Sequence, residues 1–114
     1  MKTQQLALLS NAMQAYTWRT QALASNIANL DTPGYQRMSV SFEDSLQQAR
    51  HQTPGLRDAA DVTARMEIEE TPPVLEDEMM ELADTQMRTQ LVTRARHTEG
   101  LHQFQDAPTG APAR

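Results

Sequence analysis

Between Thr3 and Leu30 the bulky apolar positions fall at Leu6, Leu9, Met13, Tyr16, Leu23, Ile27 and Leu30, in alternating steps of three and four with one polar slot at Thr20. That spacing predicts a helix with a heptad seam, packed along its length on partner helices. Off the seam the residues are mostly Gln, Asn, Ser, Thr and Ala, and Arg19 is the only charged side chain in the stretch. A solvated helix usually displays mixed charge. A neutral polar outer face looks built to be covered on several sides by other protein.

A second apolar face runs through Leu75, Met79, Leu82, Ala83, Met87, Leu91 and Ala95, widened by Met80 and Val92. It predicts a C-terminal helix opening near Thr71-Pro72-Pro73, with threonine as cap and proline in the first turn, and running to about Thr98. Gly100 offers a stop there, with Leu101 and Phe104 as a possible continuation. Between the two helices, Met38, Val40 and Phe42 alternate with polar neighbours, as do Val62, Ala64, Met66 and Ile68; two short extended segments are expected, with a turn or two of helix around Leu46. The stretch from His51 to Thr71 is poor in large apolar residues and is expected to stay mobile until something orders it. The fold class is therefore mainly α, two long terminal helices forming a coiled-coil-type layer around a short irregular middle. The expected divisions are 1–34 for helix and turn, 35–71 for the middle, 72–104 for the second helix and 105–114 for a disordered tail.

The end of the first helix has its own mechanism. Thr32 precedes proline and is pushed out of the right-handed helical region, Pro33 suits the first central position of a turn, and Gly34 supplies the positive φ of a type II turn. Ala24-Ser25-Asn26-Ile27-Ala28-Asn29 followed by Asp31-Thr32-Pro33-Gly34-Tyr35 resembles the N-terminal signature of bacterial flagellar axial proteins, the rod, hook and hook-associated proteins. With Val40-Ser41-Phe42 and the run Glu78 to Arg88, the chain is most similar to proximal members of the flagellar basal-body rod family. The resemblance spans about residues 4–46 and, more weakly, 75–104. It departs from the family at Val74, where relatives usually carry an aspartate cap.

Composition agrees without suggesting this. A chain of 114 residues with 4% aromatics has little from which to build an independent core and gains burial from partners. The net charge of -5 argues against nucleic acid. The sequence shows no signal-peptide core and no apolar run of spanning length. With no cysteine there is neither disulfide nor cysteine metal site. From Glu67 to Asp84 come eight acids and no base, followed by Arg88, Arg94, Arg96 and His97. This order suits the helix dipole; equally, it would set register between staggered subunits.

Chemistry is sparse. His51, His97 and His102 lack metal spacing, Ser10, Ser25 and Ser45 sit in no nucleophile motif, and no phosphate loop is present. Seven methionines at helical spacing read as adaptable packing, and Trp18 as a partner contact or the edge of the buried face. The sequence names no catalytic residue, metal, cofactor or small-molecule substrate. A structural assembly protein and a soluble coiled-coil adaptor or export chaperone both explain the seam; only the first explains the helix stop. The resemblance implies a structural rod subunit that carries torque from motor to hook, placed in the periplasmic part of the basal body after type III export without a cleaved signal. Its implied partners are other rod subunits, copies of itself, the hub protein linking rod to MS ring, and the export gate. The assembly interface expected is Leu6, Leu9, Met13, Tyr16, Leu23, Ile27, Leu82, Met87 and Leu91, and the helix-stop turn is Asn29, Asp31, Thr32, Pro33, Gly34 and Tyr35.

Overall fold

A computed structural model describes residues 2–52 and 59–106, side chains at a few element ends excepted. Helix α1 spans Lys2–Ala28, strand β1 Met38–Ser41, helix α2 Glu43–Gln52, strand β2 Arg65–Ile68 and helix α3 Leu75–Asp106. The architecture is two long helices with a two-stranded antiparallel sheet and a short helix beside them. Helices α1 and α3 run antiparallel: Asn26 bonds to Glu78 at one end, while Gln5 and Leu9 share a cavity wall with Ala95 and Glu99 at the other.

Helix α1 ends at Ala28 because the chain offers its last carbonyls better partners. The Asn29 side chain donates to the Ser25 carbonyl at 2.8 Å and the Thr32 hydroxyl donates to Asn29 Oδ1 at 3.0 Å. Tyr35 N–H donates to the Thr32 carbonyl at 3.2 Å, with Pro33 and Gly34 between them and Gly34 at φ 78°. This is a type II turn, which requires φ > 0 at its third residue.

The turn delivers β1 to the flank of α1. Its partner β2 pairs Met38 with Ile68, Ser39 with Glu67, Val40 with Met66 and Ser41 with Arg65. Two further backbone bonds extend the ladder, Glu69 N–H to the Arg37 carbonyl at 2.8 Å and Arg37 N–H to the Thr71 carbonyl at 3.1 Å. Within the stretch 51–71, β2 finds its partner through backbone groups, which hydrophobic counting does not register. Residues 53–58 of that stretch lie outside the described residues.

Both ends of the C-terminal helix differ from expectation. Helix α3 starts at Leu75 and not at Thr71, since Pro73 disfavours helical geometry at Pro72 just as Pro72 does at Thr71. Val74 stands in the cap position, its carbonyl accepting from Glu78 N–H at 3.0 Å. At the far end the helix passes through Gly100 to Asp106, two residues into the expected tail; a helical glycine costs about 1 kcal/mol relative to alanine and need not stop a helix. The rest of that tail, 107–114, lies outside the described residues.

The core lies where α1, β1 and the start of α2 meet. Ala12, Ala15, Tyr16, Ala22, Val40 and Phe42 are buried together, with Leu8, Trp18, Met38, Leu46, Val62 and Val92 packed against them. Phe42 also caps α2, its carbonyl accepting from Leu46 N–H at 2.9 Å. Burying a side chain of that size is worth about 1.5–3 kcal/mol. Trp18 therefore contributes to the edge of the subunit's own core.

Candidate assembly surface

The buried stripe of α1 is displaced from the predicted seam by about one residue. It runs through Ala12, Ala15, Tyr16, Arg19, Ala22, Leu23 and Asn26. Small side chains at Ala12, Ala15 and Ala22 let neighbouring backbone approach. Two polar residues, Arg19 and Asn26, supply fixed bonds. Of the expected interface residues on α1, Tyr16 and Leu23 are buried inside the subunit, whereas Leu6, Leu9, Met13 and Ile27 are half-buried at the edges of the packed face.

Asn26 organises the helix end. It is 0% exposed. Its Nδ2 donates to the Met38 carbonyl at 2.8 Å and to Glu78 Oε1 at 2.9 Å, and its Oδ1 accepts from Met38 N–H at 2.9 Å and from the Tyr35 hydroxyl at 3.0 Å. Two donors and two lone pairs exhaust the hydrogen-bonding capacity of an amide. Tyr35 also meets the Ser25 hydroxyl at 2.9 Å, so the final residue of the turn motif is tied back to the helix it follows.

Glu78, likewise 0% exposed, turns its second oxygen to Arg37 Nε at 2.6 Å. Arg37 also binds Glu69 at 3.1 Å and pairs with Glu81. Burial pulls the Arg37 pKa down, but the Glu78 hydrogen bond and the charges of Glu81, Glu78 and Glu69 outweigh it and raise the value. Three acids of the base-free run thus converge on one cation from before the run. This explains part of the charge sorting within a single subunit.

A second clamp sits mid-helix. Arg19 bonds both oxygens of Glu43, at 2.7 and 2.8 Å, donates to the Val40 carbonyl at 2.7 Å, and lies 5.5 Å from the centre of the Tyr16 ring. The lone charge between Thr3 and Leu30 is therefore an internal tie to α2. Arg88 reaches the same glutamate at 3.4 Å and holds Asp84 at 2.7 Å. The Arg19 hydrogen bond, against the opposing effect of burial, holds Glu43 below the usual carboxylate range.

Helix α3 meets α1 with a face that mixes polar and apolar residues. Glu78 and Thr85 are buried, and Leu82, Thr89, Val92, Ala95 and Glu99 are half-buried along the same side. Thr85, Thr89 and Thr93 each donate to the carbonyl four residues earlier at 2.8 Å. Their hydroxyls are satisfied within the helix, which lets Thr85 present its methyl group to the packed side. The apolar stripe faces outward: Met80 is 73% exposed, Leu91 57%, Met79 and Met87 56%, with Leu75 and Leu101 also exposed. Met87 and Leu91 are thus not brought against α1 within the subunit, while Leu82 is half-buried. Exposed apolar residues repeated along one helix face make this side of α3 the candidate docking surface. Among the described residues no helix is long and apolar enough to cross a membrane.

Sequence reasoning missed Arg19, Asn26, Arg37, Glu43 and Glu78 as the residues that set the geometry. The available signal was a base-free acidic run preceded by an isolated arginine, with an asparagine interrupting the apolar pattern just before a turn.

Residues 2–36 match the family model described as flagella basal body rod protein. That segment holds α1, Asn26 and the whole turn, and stops one residue short of Arg37. Among curated proteins the chain is similar to the flagellar basal body rod protein FlgB of Aeromonas hydrophila, with 42% identity over 41 residues. The aligned part is 36% of this chain and 31% of that protein, so the chain covers about a third of the relative's length. No solved structure matches.

Proposed function

We propose that the chain is a structural subunit of the bacterial flagellar basal-body rod, of the proximal, FlgB-like kind. The observation that carries this reading is the rod-family match over residues 2–36, which falls on the helix and turn that Asn26 and Tyr35 lock together. The exposed apolar stripe of α3 adds a surface suited to packing on neighbouring subunits. In this reading the Asn26–Glu78–Arg37 network holds α1 and α3 at one angle, so that each subunit presents the stripe in the same orientation. A rod built this way transmits torque as a packed helical layer. Its neighbours are further rod subunits and copies of itself, the hub protein at the MS ring, and the export gate during type III passage to the periplasm. The chain itself performs no chemistry in this role.

The test is fractionation. In a strain whose own copy of the gene carries an epitope tag, the tagged chain should co-purify with detergent-extracted basal bodies, and deletion of the gene should leave cells without hooks. Retention of the chain in the cytosol, absent from purified basal bodies, would instead fit an adaptor or export chaperone and overturn the rod reading.

A further inference from the structure

The outward face of α3 has an internal symmetry. Glu76, Met80, Ala83, Met87, Gln90 and Arg94 follow one another at heptad spacing, and all six are exposed. Glu76 and Arg94, Met80 and Gln90, and Ala83 and Met87 are each equidistant from position 85, as are the flanking Met79 and Leu91. When the helix is turned end for end, the seam therefore sets an acid opposite a base at its two ends and a large residue opposite a small one at its centre.

From this we infer that α3 pairs with α3 of a second copy of the chain, antiparallel and centred on position 85. In that register Glu76 of each copy meets Arg94 of the other. Met87 fills the space above the partner's Ala83. The methylene stem of Gln90 lies along the partner's Met80, with its amide left at the solvent-facing rim. Among the described residues neither Glu76 nor Arg94 has an ion-pair partner, whereas Asp84 and Arg88, which border the seam, are bonded to each other. A parallel in-register pair would set Glu76 against Glu76 and Arg94 against Arg94, and would stack Met87 on Met87. Charge complementarity thus selects one occupant and one orientation. Such a contact is isologous and closes at two copies, unlike the open contacts of a polymer. It covers the methionine stripe in the free protein and must open before that stripe can pack on anything else. The proposal does not depend on the rod reading, because purified protein alone tests it.

Sedimentation of the full chain at low salt should show a dimer that dissociates on dilution. Glu76→Arg removes two cross-pairs and creates two repulsions, weakening the dimer about tenfold, as two modest surface pairs imply. Arg94→Glu should do the same. The double variant Glu76→Arg with Arg94→Glu swaps both ends and should recover the wild-type dissociation constant. Since the chain has no cysteine, orientation can be read directly. A mixture of Glu76→Cys and Arg94→Cys chains should form a disulfide on oxidation, while either alone should not, because like positions in the antiparallel pair lie about 27 Å apart along the helix. A monomer at every concentration, failure of the double variant to recover, or self-linking of Glu76→Cys would each overturn the proposal.

Discussion

Helices α1 and α3 carry similar apolar periodicity and use it in opposite ways. On α1 the stripe turns inward, and Tyr16 and Leu23 are consumed in the subunit's own core, together with Arg19 and Asn26. On α3 the inward face mixes Glu78, Thr85 and Thr89 with half-buried Leu82 and Val92, while the methionines and Leu75, Leu91 and Leu101 are left outside. Apolar spacing says that a face will be covered. It does not say by what, and here the polar residues decide: a buried amide and carboxylate that satisfy each other fix which sides of the two helices meet, and whatever lies opposite remains for a partner.

This contrast can be broken at its strongest point by Leu23→Asp. Leu23 is 1% exposed, and an aspartate there would be a buried charge with no partner, costing more than about 4 kcal/mol. The subunit should lose its cooperative thermal unfolding transition; a folded, wild-type-like melt would mean that α1 is not committed to the internal core.

Asn26→Ala comes next. It deletes four hydrogen bonds and leaves Glu78 and the Met38 backbone short of partners, for which about 2–4 kcal/mol is expected. Chemical denaturation should show the midpoint fall with little change in slope. Gly34→Val tests the turn alone. A Cβ at Gly34 would meet nothing within 4 Å, so the cost expected is backbone strain at φ 78°, about 1–3 kcal/mol, visible in the same denaturation assay.

The smallest effect concerns acid. Because Arg19 lowers the folded-state pKa of Glu43, the stability this group adds is present above the ordinary carboxylate value and is lost as pH falls through the lowered folded value. Between neutral pH and about pH 4 the wild type should keep this contribution, and below that it should lose stability more steeply than Glu43→Gln. Parallel loss in both proteins on acid titration would detach Glu43 from the clamp.

Much of the fold was legible in the sequence. Leu6 to Leu30 announced a long packed helix, Thr32-Pro33-Gly34 its end, and the alternation at Met38–Phe42 and Val62–Ile68 the two strands. The one-residue displacement of the buried face on α1 was not, because Ala12, Ala15 and Ala22 give little hydrophobic signal while allowing the closest approach. Nor was the orientation of α3. Threonines that bond their own helix and a glutamate neutralised by Arg37 behave as core, yet composition counts them as surface. The helix start was misplaced because threonine and proline at 71–73 carry cap chemistry, whereas the chain uses the Thr71 carbonyl to close the sheet.

The division between an inner face for folding and an outer face for assembly is tested most directly by Met87→Asp, followed in two readouts. Met87 is 56% exposed and its replacement removes no internal bond, so dilute protein should unfold within about 4 °C of wild type. In cells, with secretion of the variant confirmed separately, hooks and complete rods should be lost, since the charge sits in the stripe that neighbours would bury. A variant that melts far below wild type would place Met87 in the folding core. One that is stable, exported and still gives complete rods would show that the outer face of α3 is not the assembly surface.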